Sequence, residues 1–310
     1  MKTVKVFSPA TIGNIGPGFD VLGLAVSGIG DTIEAKINSK EQIVIENIYN
    51  ADSDISKDPS KNTAGIAAQE VLNNLGSNVG ITLNIHKGLP SGSGLGSSAA
   101  SAVAGAFATN LLLGNKLSYQ ELLKASMRGE YSVSGGYFAD NVAPALYGGA
   151  TLTRSLNPLR ITPLGTIDEL IIILAIPNVQ VLTRESRKVI PKEVTLSDCI
   201  HNMANTSSIT AAFCTNNYYL LKNNLYDYII EPKRSQLIPG FVDVKEAALN
   251  AGADGLTISG SGPTIFAITN NRQKALAIEI AISKSFSSNN ILSKTIITKP
   301  SKSGTIEMTS

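Results

Sequence analysis

Residues 89–101, LPSGSGLGSSAAS, hold three glycines, five serines and one proline. They join an alternating segment, VGITLNIH (79–86), to a small-residue apolar run, SSAASAVAGAFATNLLLG (97–114). The alternation predicts a half-buried strand and the run a helix apolar nearly all round, hence buried. A Gly/Ser linker does not belong between two such elements. A simple turn needs one or two glycines, not three at 92, 94 and 96. The reading left is a loop whose backbone closes on a ligand. Glycines let successive N–H groups point inward, and a helix beginning near Ser97 adds its positive end, so the ligand is an anion.

The string G-x-x-x-x-G-K-[ST] of the P-loop does not occur. GLGSSA (94–99) fits the dinucleotide pattern G-x-G-x-x-A, but that fingerprint needs an acid on a following strand about 20 residues on. Glu121, the nearest acid at that distance, falls in a helix, so the dehydrogenase reading is set aside.

Elsewhere, KTVKVFS (2–8), DTIEAKI (31–37) and QIVIENI (42–48) read as strands, and NTAGIAAQEVLNNLG (62–76) as a helix stopped by Gly76. Ser118 and Glu121 form a capping box before LLKASMRGE. Residues 131–149 read as loop. LIIILAI (170–176) is a buried strand, 183–251 is helix-rich, and GLTISGSGPTIFAI (255–268) is strand, glycine loop, strand. A helix near 272–284 and a strand at 291–299 follow. The turn-rich SLNPLRITPLG suggests a domain boundary near 155–168, dividing the chain into 1–160 and 161–310.

Several classes are disfavoured. Lys+Arg 26 against Asp+Glu 24 leaves a net charge of +2, without the basic excess of a nucleic-acid binder, and there is no polybasic patch for a membrane. The longest apolar run is far short of a span. The first twenty residues are interrupted by Pro9, Asn14, Pro17 and Asp20, unlike a signal peptide. A cytoplasmic protein is expected. Cys199, Cys214, His86 and His201 form no zinc-type cluster, and the cysteines are expected to be buried, reduced packing residues.

PSGSGLGSSAA (90–100) resembles the P-x-x-x-G-L-G-S-S-A phosphate loop of the GHMP kinases, and PATIGNIGPGFDVLGLA (9–25) and GLTISGSGPTIFAI (255–268) are similar to that superfamily's other motifs, in the same order. ADNVAPALYGG (139–149), LTRESRKVIP (182–191) and EPKRSQLIPG (231–240), with N-x-G-x-G-F-D-x-L-G near the start, resemble its homoserine kinase branch. The resemblance implies a two-domain α+β fold: a ribosomal-protein-S5-domain-2-like N-terminal domain that binds ATP, and a ferredoxin-like C-terminal domain. It implies phosphorylation of the side-chain hydroxyl of L-homoserine, a step toward threonine, by direct in-line transfer. A homodimer is the habit of that family.

It also implies roles. Pro90, Ser91, Gly92, Ser93, Gly94, Leu95, Gly96, Ser97, Ser98, Ala99 and Ala100 would wrap the triphosphate, with Asn62 and Lys87 near the nucleotide. Ser98 and Glu130, hard oxygen donors, would hold Mg²⁺. Asp20 would pair with the substrate ammonium and Arg187 and Arg234 with its carboxylate, which arginine matches bidentately. Thr183 and Gly260 would touch substrate. Asn14 would hydrogen-bond the reacting hydroxyl, with Asp140 and Asn141 near the transferred phosphoryl group. Simpler readings stand beside these: a helix cap for Asn62, a surface lysine for Lys87, a solvated helix-end residue for Glu130, surface arginines for Arg187 and Arg234. Many members of that branch carry histidine where this chain has Phe138. The rival functions are a mevalonate- or shikimate-type kinase, whose substrate lacks the ammonium that Asp20 would meet, and a non-catalytic nucleotide sensor, which has no need of a Ser98/Glu130 pair.

Overall fold

The computed structural model describes residues 2–308 apart from 53 and 182, and only the backbone of 134, 183 and 184. The chain runs β1 (Thr3–Gly13), β2 (Leu22–Asn38), β3 (Ile43–Tyr49), α1 (Thr63–Leu75), β4 (Gly80–His86), α2 (Ser97–Leu112), α3 (Tyr119–Ser134), α4 (Val142–Tyr147), β5 (Ala150–Leu156), β6 (Leu159–Gly165) and β7 (Ile171–Pro177). It continues α5 (Thr183–Lys188), α6 (Leu196–Cys214), α7 (Tyr218–Lys222), α8 (Glu231–Arg234), α9 (Phe241–Asn250), β8 (Gly255–Ile258), β9 (Ile265–Thr269), α10 (Arg272–Ser288), β10 (Ser293–Thr298) and β11 (Ile306–Glu307).

The long β2 organises the first sheet. Its Thr32–Asn38 half pairs with β4, its Leu22–Leu24 end with β5, and β1 lies along its other edge. The order is β11-β1-β2-β4-β3, with the β5–β6 hairpin joined through β2. Among the described residues of this sheet only β3–β4 is parallel; each of the other pairs is antiparallel. The small, apolar α2 is the central helix, packed on β1 and β2 on one side and against α1 and α3 on the other. Its run of alanines allows that close approach. Caps follow the sequence: Asn62 opens α1, Gly76 closes it in the left-handed conformation, and the Ser118/Glu121 capping box opens α3.

The second sheet has the antiparallel order β10-β7-β9-β8. With α9 and α10 packed against it, this is the βαββαβ arrangement of a ferredoxin-like domain. One apolar core joins the two halves. Ile12 and Leu24 of the first sheet meet Ile172, Leu174 and Phe266 of the second, with Ile209 and Phe213 of α6. The change of sheet falls between Gly165 and Ile171, and β11 returns to the first sheet beside β1.

Two expectations are corrected. Within 131–149 a short helix, α4, follows Asn141. Its Pro144 lies in the first turn, where a missing N–H costs no helical bond, so a proline that reads as a breaker is tolerated. The cysteines are free but not buried: Cys199 is half-buried and Cys214 exposed. They sit near opposite ends of α6, whose buried side is Asn202, Ile209, Ala212 and Phe213.

Candidate active site

Three glycine-rich stretches far apart in sequence are hydrogen-bonded into one floor. Thr11 N–H donates to the Leu95 carbonyl (3.0 Å), Thr264 N–H to the Ser93 carbonyl (3.1 Å), and Gly260 N–H to the Gly13 carbonyl (3.0 Å). Ser259 Oγ donates to the Gly94 carbonyl at 2.7 Å. The contact is so close that a side chain on Gly94 would stand 2.6 Å from the Ser259 carbonyl oxygen, and its φ of +82° lies in the left-handed region.

These bonds decide what the phosphate loop can do. The carbonyls of Leu89 and Pro90 accept from Ser97 Oγ and Ser93 Oγ, so those of residues 89, 90, 93, 94 and 95 are all held by the protein. The N–H groups of residues 92–98 have no hydrogen-bond partner among the described residues. Gly96, the N-cap of α2, supplies no side-chain cap. The loop is therefore a row of unpartnered donors at the positive end of a sixteen-residue helix, an arrangement that suits an anion such as phosphate.

The loop lines a cleft of about 500 Å³ that also takes in Asn14, Asp20, Asn62, Lys87, Ser98, Glu130, Asp140, Asn141, Arg187, Arg234 and Gly260. Pro90, Leu95, Ala99 and Ala100 are not on its wall. Leu95, Ala99 and Ala100 are fully buried in the apolar core, where they anchor the loop. The Thr183 side chain lies outside the described residues. The sequence reading did not single out Ile55, Lys61, Ile85 and Val133, which line the cleft too. Ile85 and Val133 are marked only by the periodicity of β4 and α3, and Ile55 and Lys61 lie in the segment before α1, so nothing in the sequence reveals the cavity.

Asn62 and Lys87 are held by the protein. Asn62 Oδ1 accepts from the Ala64 and Gly65 N–H groups and its Nδ2 donates to the Ser56 carbonyl. The buried Lys87 ammonium is paired with Asp31 and donates to Ser101 Oγ (2.8 Å) and the Ser97 carbonyl (3.2 Å). Asp31, fully buried, also accepts from Gly88 N–H and Ser101 Oγ. This cluster ties β2 and β4 to the start of α2.

Ser98 and Glu130 meet on the wall of the cleft. Burial pushes the Glu130 carboxyl up to about 7, against a hydrogen bond from Ser98 that favours its charged form. No cluster of three or more His, Cys, Asp or Glu able to hold a metal occurs among the described residues. A hydroxyl and one carboxylate suit a magnesium ion whose other ligands are phosphate oxygens and water.

The other end of the cleft is a polar network drawn from both domains. The Gly260 carbonyl accepts from Asn14 Nδ2 (2.9 Å) and Arg234 Nη1 (2.8 Å). Asn14 Oδ1 accepts from the Asp20 N–H at 3.0 Å. Arg187 grips Asp20 with two bonds, Nη2 to Oδ1 at 2.7 Å and Nη1 to Oδ2 at 3.2 Å. Arg234 is only 3% exposed, and burial followed by the charge of Arg187 lowers its guanidinium to about 10. Thr11 Oγ1 donates to Asn141 Oδ1, and Asn141 Nδ2 to Asp140 Oδ2. Burial, then the negative charge of Asp20, raises the Asp140 carboxyl to about 7. The arrangement offers carboxylates to a cation and guanidinium groups to an anion, beside an amide cradle for phosphate.

The family model for the GHMP kinases N terminal domain matches residues 62–149, and that for the GHMP kinases C terminal domain matches 209–288. A homoserine kinase of Chloroherpeton thalassium is 40% identical over 296 residues, covering 92% of this chain and 93% of its own length. A homoserine kinase of Pyrococcus furiosus is 40% identical over 296 residues, covering 96% and 97%. The crystal structure of homoserine kinase from Cytophaga hutchinsonii superposes with a TM-score of 0.95 at 42% identity, covering 99% of this chain and 98% of the other. The three converging motifs, the two-domain fold and these likenesses over nearly the whole length give one answer: the chain belongs to the homoserine kinase family of the GHMP kinases.

Proposed function

We propose that this cleft carries out the ATP-dependent phosphorylation of L-homoserine to O-phospho-L-homoserine, a step toward threonine. The observation that carries the substrate reading is the Asn14–Asp20–Arg187–Arg234–Gly260 network. It sets one carboxylate and two guanidinium groups beside the phosphate cradle, which matches an α-amino acid bearing a hydroxyl.

In this reading the unpartnered N–H groups of residues 92–94 and 96–98, which line the cleft, receive the triphosphate of ATP. Ser98 and Glu130 would hold Mg²⁺, which neutralises phosphate charge when bound. Ile55, Ile85 and Val133 give the apolar part of the wall a place for the base. Asp20 takes the substrate ammonium and the two arginines its carboxylate. Asn14 and Asn141 orient the hydroxyl. The homoserine oxygen attacks the γ-phosphorus in line, the bond from that phosphorus to the β–γ bridging oxygen breaks, and ADP leaves. The hydroxyl proton is lost as the bond forms, and Asp140, its carboxyl near neutrality, is the nearby acceptor. Positioning and charge neutralisation supply most of the rate, since the transition state of such transfers is loose. No covalent enzyme intermediate is involved. On the habit of the family alone, we expect a homodimer in the cytoplasm.

A panel of alcohols tests the reading through coupled ADP release. L-Homoserine is expected to be turned over far faster than mevalonate or shikimate, which lack the ammonium. A preference for either of those overturns the substrate reading, and tight ATP binding without turnover of any alcohol would make the protein a sensor.

A further inference from the structure

Phe138 makes no hydrogen bond in the network just described, yet its ring lies directly against it. Its ring centre lies 3.7 Å from the central carbon of the Arg187 guanidinium. At that distance an edge-on guanidinium would press its nitrogens into the ring, so the contact suits a planar cation laid flat on the aromatic face. Phe19 lies farther off, 5.5 Å from Arg187 and 5.0 Å from Arg234.

Stacking and hydrogen bonding use different parts of the guanidinium. The ring takes a face, while the N–H groups lie along the edge. Of the five N–H donors that an arginine carries, Arg187 gives one from Nη1 and one from Nη2 to Asp20. Its Nε is buried without a hydrogen-bond partner among the described residues. Each Nη keeps its second N–H for a further carboxylate, while the ring and Asp20 fix the plane.

The ring is itself held. An added side chain on Gly136 would collide with the tip of the Phe138 ring. The ring occupies the space that the missing side chain leaves. This explains the second glycine of SGGYF, since Gly135 alone ends α3 in the left-handed conformation.

We infer that Phe138 is a positioning residue for substrate recognition: its ring fixes the plane of the Arg187 guanidinium, so that Arg187 meets the substrate carboxylate already aligned. The inference rests on the homoserine reading above. Phe138 acts through Arg187 and not on the nucleotide, so its effect belongs to one substrate only. A flexible arginine that must be ordered at each binding event loses affinity to that ordering, and a pre-stacked one does not.

The test is steady-state kinetics on the full chain, with Phe138→Leu, Phe138→Tyr and Gly136→Ala each made alone, and Phe138→Leu also in an Arg187→Ala background. Phe138→Leu is expected to raise the KM for homoserine about 5- to 20-fold, within the range of a partly desolvated cation–π contact, with little change in kcat or in the KM for ATP. Phe138→Tyr, which keeps the face, restores most of the affinity, and Gly136→Ala, which displaces the ring, raises the same KM. In the Arg187→Ala background Phe138→Leu has little further effect, because the pair is already broken. A Phe138→Leu enzyme with unchanged homoserine KM overturns the inference, as does an equal rise for both substrates or a full effect that persists without Arg187. Should Phe138→Leu fail to fold, Phe138→Tyr and Gly136→Ala decide: a full loss of affinity in the tyrosine variant, or none in the alanine variant, overturns it. A wild-type enzyme without homoserine turnover overturns the substrate reading and this inference with it, whereas turnover with no Phe138 effect overturns this inference alone.

Discussion

Replacing Lys87 by methionine separates a structural role from a nucleotide-binding one. The lysine keeps its stem volume in methionine and loses its ammonium. In the folded protein that ammonium is buried against Asp31, which is fully buried, and also donates to Ser101 Oγ and the Ser97 carbonyl. The variant leaves Asp31 with its bonds from Gly88 N–H and Ser101 Oγ but with no balancing positive charge. Removing one partner of a buried ion pair costs about 3–5 kcal/mol. An unfolding entropy of about 2.1 cal/mol/K per residue makes each kcal/mol about 1.5 °C for a chain of this length. The expected fall in Tm is therefore about 5–8 °C, read by differential scanning calorimetry. Adding Asp31→Asn to Lys87→Met removes the stranded charge and should recover part of the loss. A Tm within about 2 °C of wild type, together with a strongly raised KM for ATP, would refute the reasoning and return Lys87 to the nucleotide.

Glu130→Gln is expected to lower kcat on the order of 100-fold or more through loss of phosphate-charge stabilisation. The same change should raise the unliganded Tm at pH 8, because it removes a carboxyl that burial holds at about 7; near wild-type rates at limiting magnesium would contradict it. Asp140 makes activity and unliganded stability run in opposite directions with pH. As proton acceptor it must be ionised, so kcat should climb as pH rises through about 7. Its folded value lies above the ordinary 3.8, so the folded state favours the protonated form: that stability is full below pH 3.8 and lost as pH rises through about 7. The span corresponds to at most about 4 kcal/mol. Asp140→Asn should shrink both pH dependences and leave the part that the Glu130 carboxyl, also held at about 7, contributes; an unchanged kcat profile would remove Asp140 from the chemistry.

The backbone geometry of the glycine loop at 89–101 was legible because its signal is local. Three glycines between an alternating strand and an apolar helix leave few alternatives, and the open N–H groups of residues 92–98 are the physical form of that pattern. The polar network at the other end of the cleft was not legible from spacing. Asn14, Asp20, Arg187, Arg234 and Gly260 meet only because the apolar core shared by the two sheets brings their loops together. Only likeness to a family could pick Arg187 and Arg234 out from other arginines. Lys87 illustrates the opposite limit: its partner Asp31 lies 56 residues away across the β2–β4 pairing, so its burial is a tertiary fact. Phe138 was noticed as a departure from relatives, but its contact with Arg187 depends on how α5 is placed. The exposure of Cys214 escaped because composition marks what a residue prefers and not which side of an element faces water, and α4 escaped because Pro144 reads as a breaker although it sits in the first turn.

The central claim is that the cleft recognises both ends of an amino acid while it phosphorylates the hydroxyl. The direct measurement is the initial rate of ADP release with L-homoserine, 4-hydroxybutyrate, which lacks the ammonium, and 3-aminopropan-1-ol, which lacks the carboxylate, with each product identified by phosphorus NMR. Losing one partner of a buried charge contact costs about 2–5 kcal/mol, so each analogue should fall by at least about 30-fold in kcat/KM, with O-phosphohomoserine the product from homoserine. Equal kcat/KM for homoserine and either analogue would contradict the account, because the charged group missing from that analogue would then have no partner in the site.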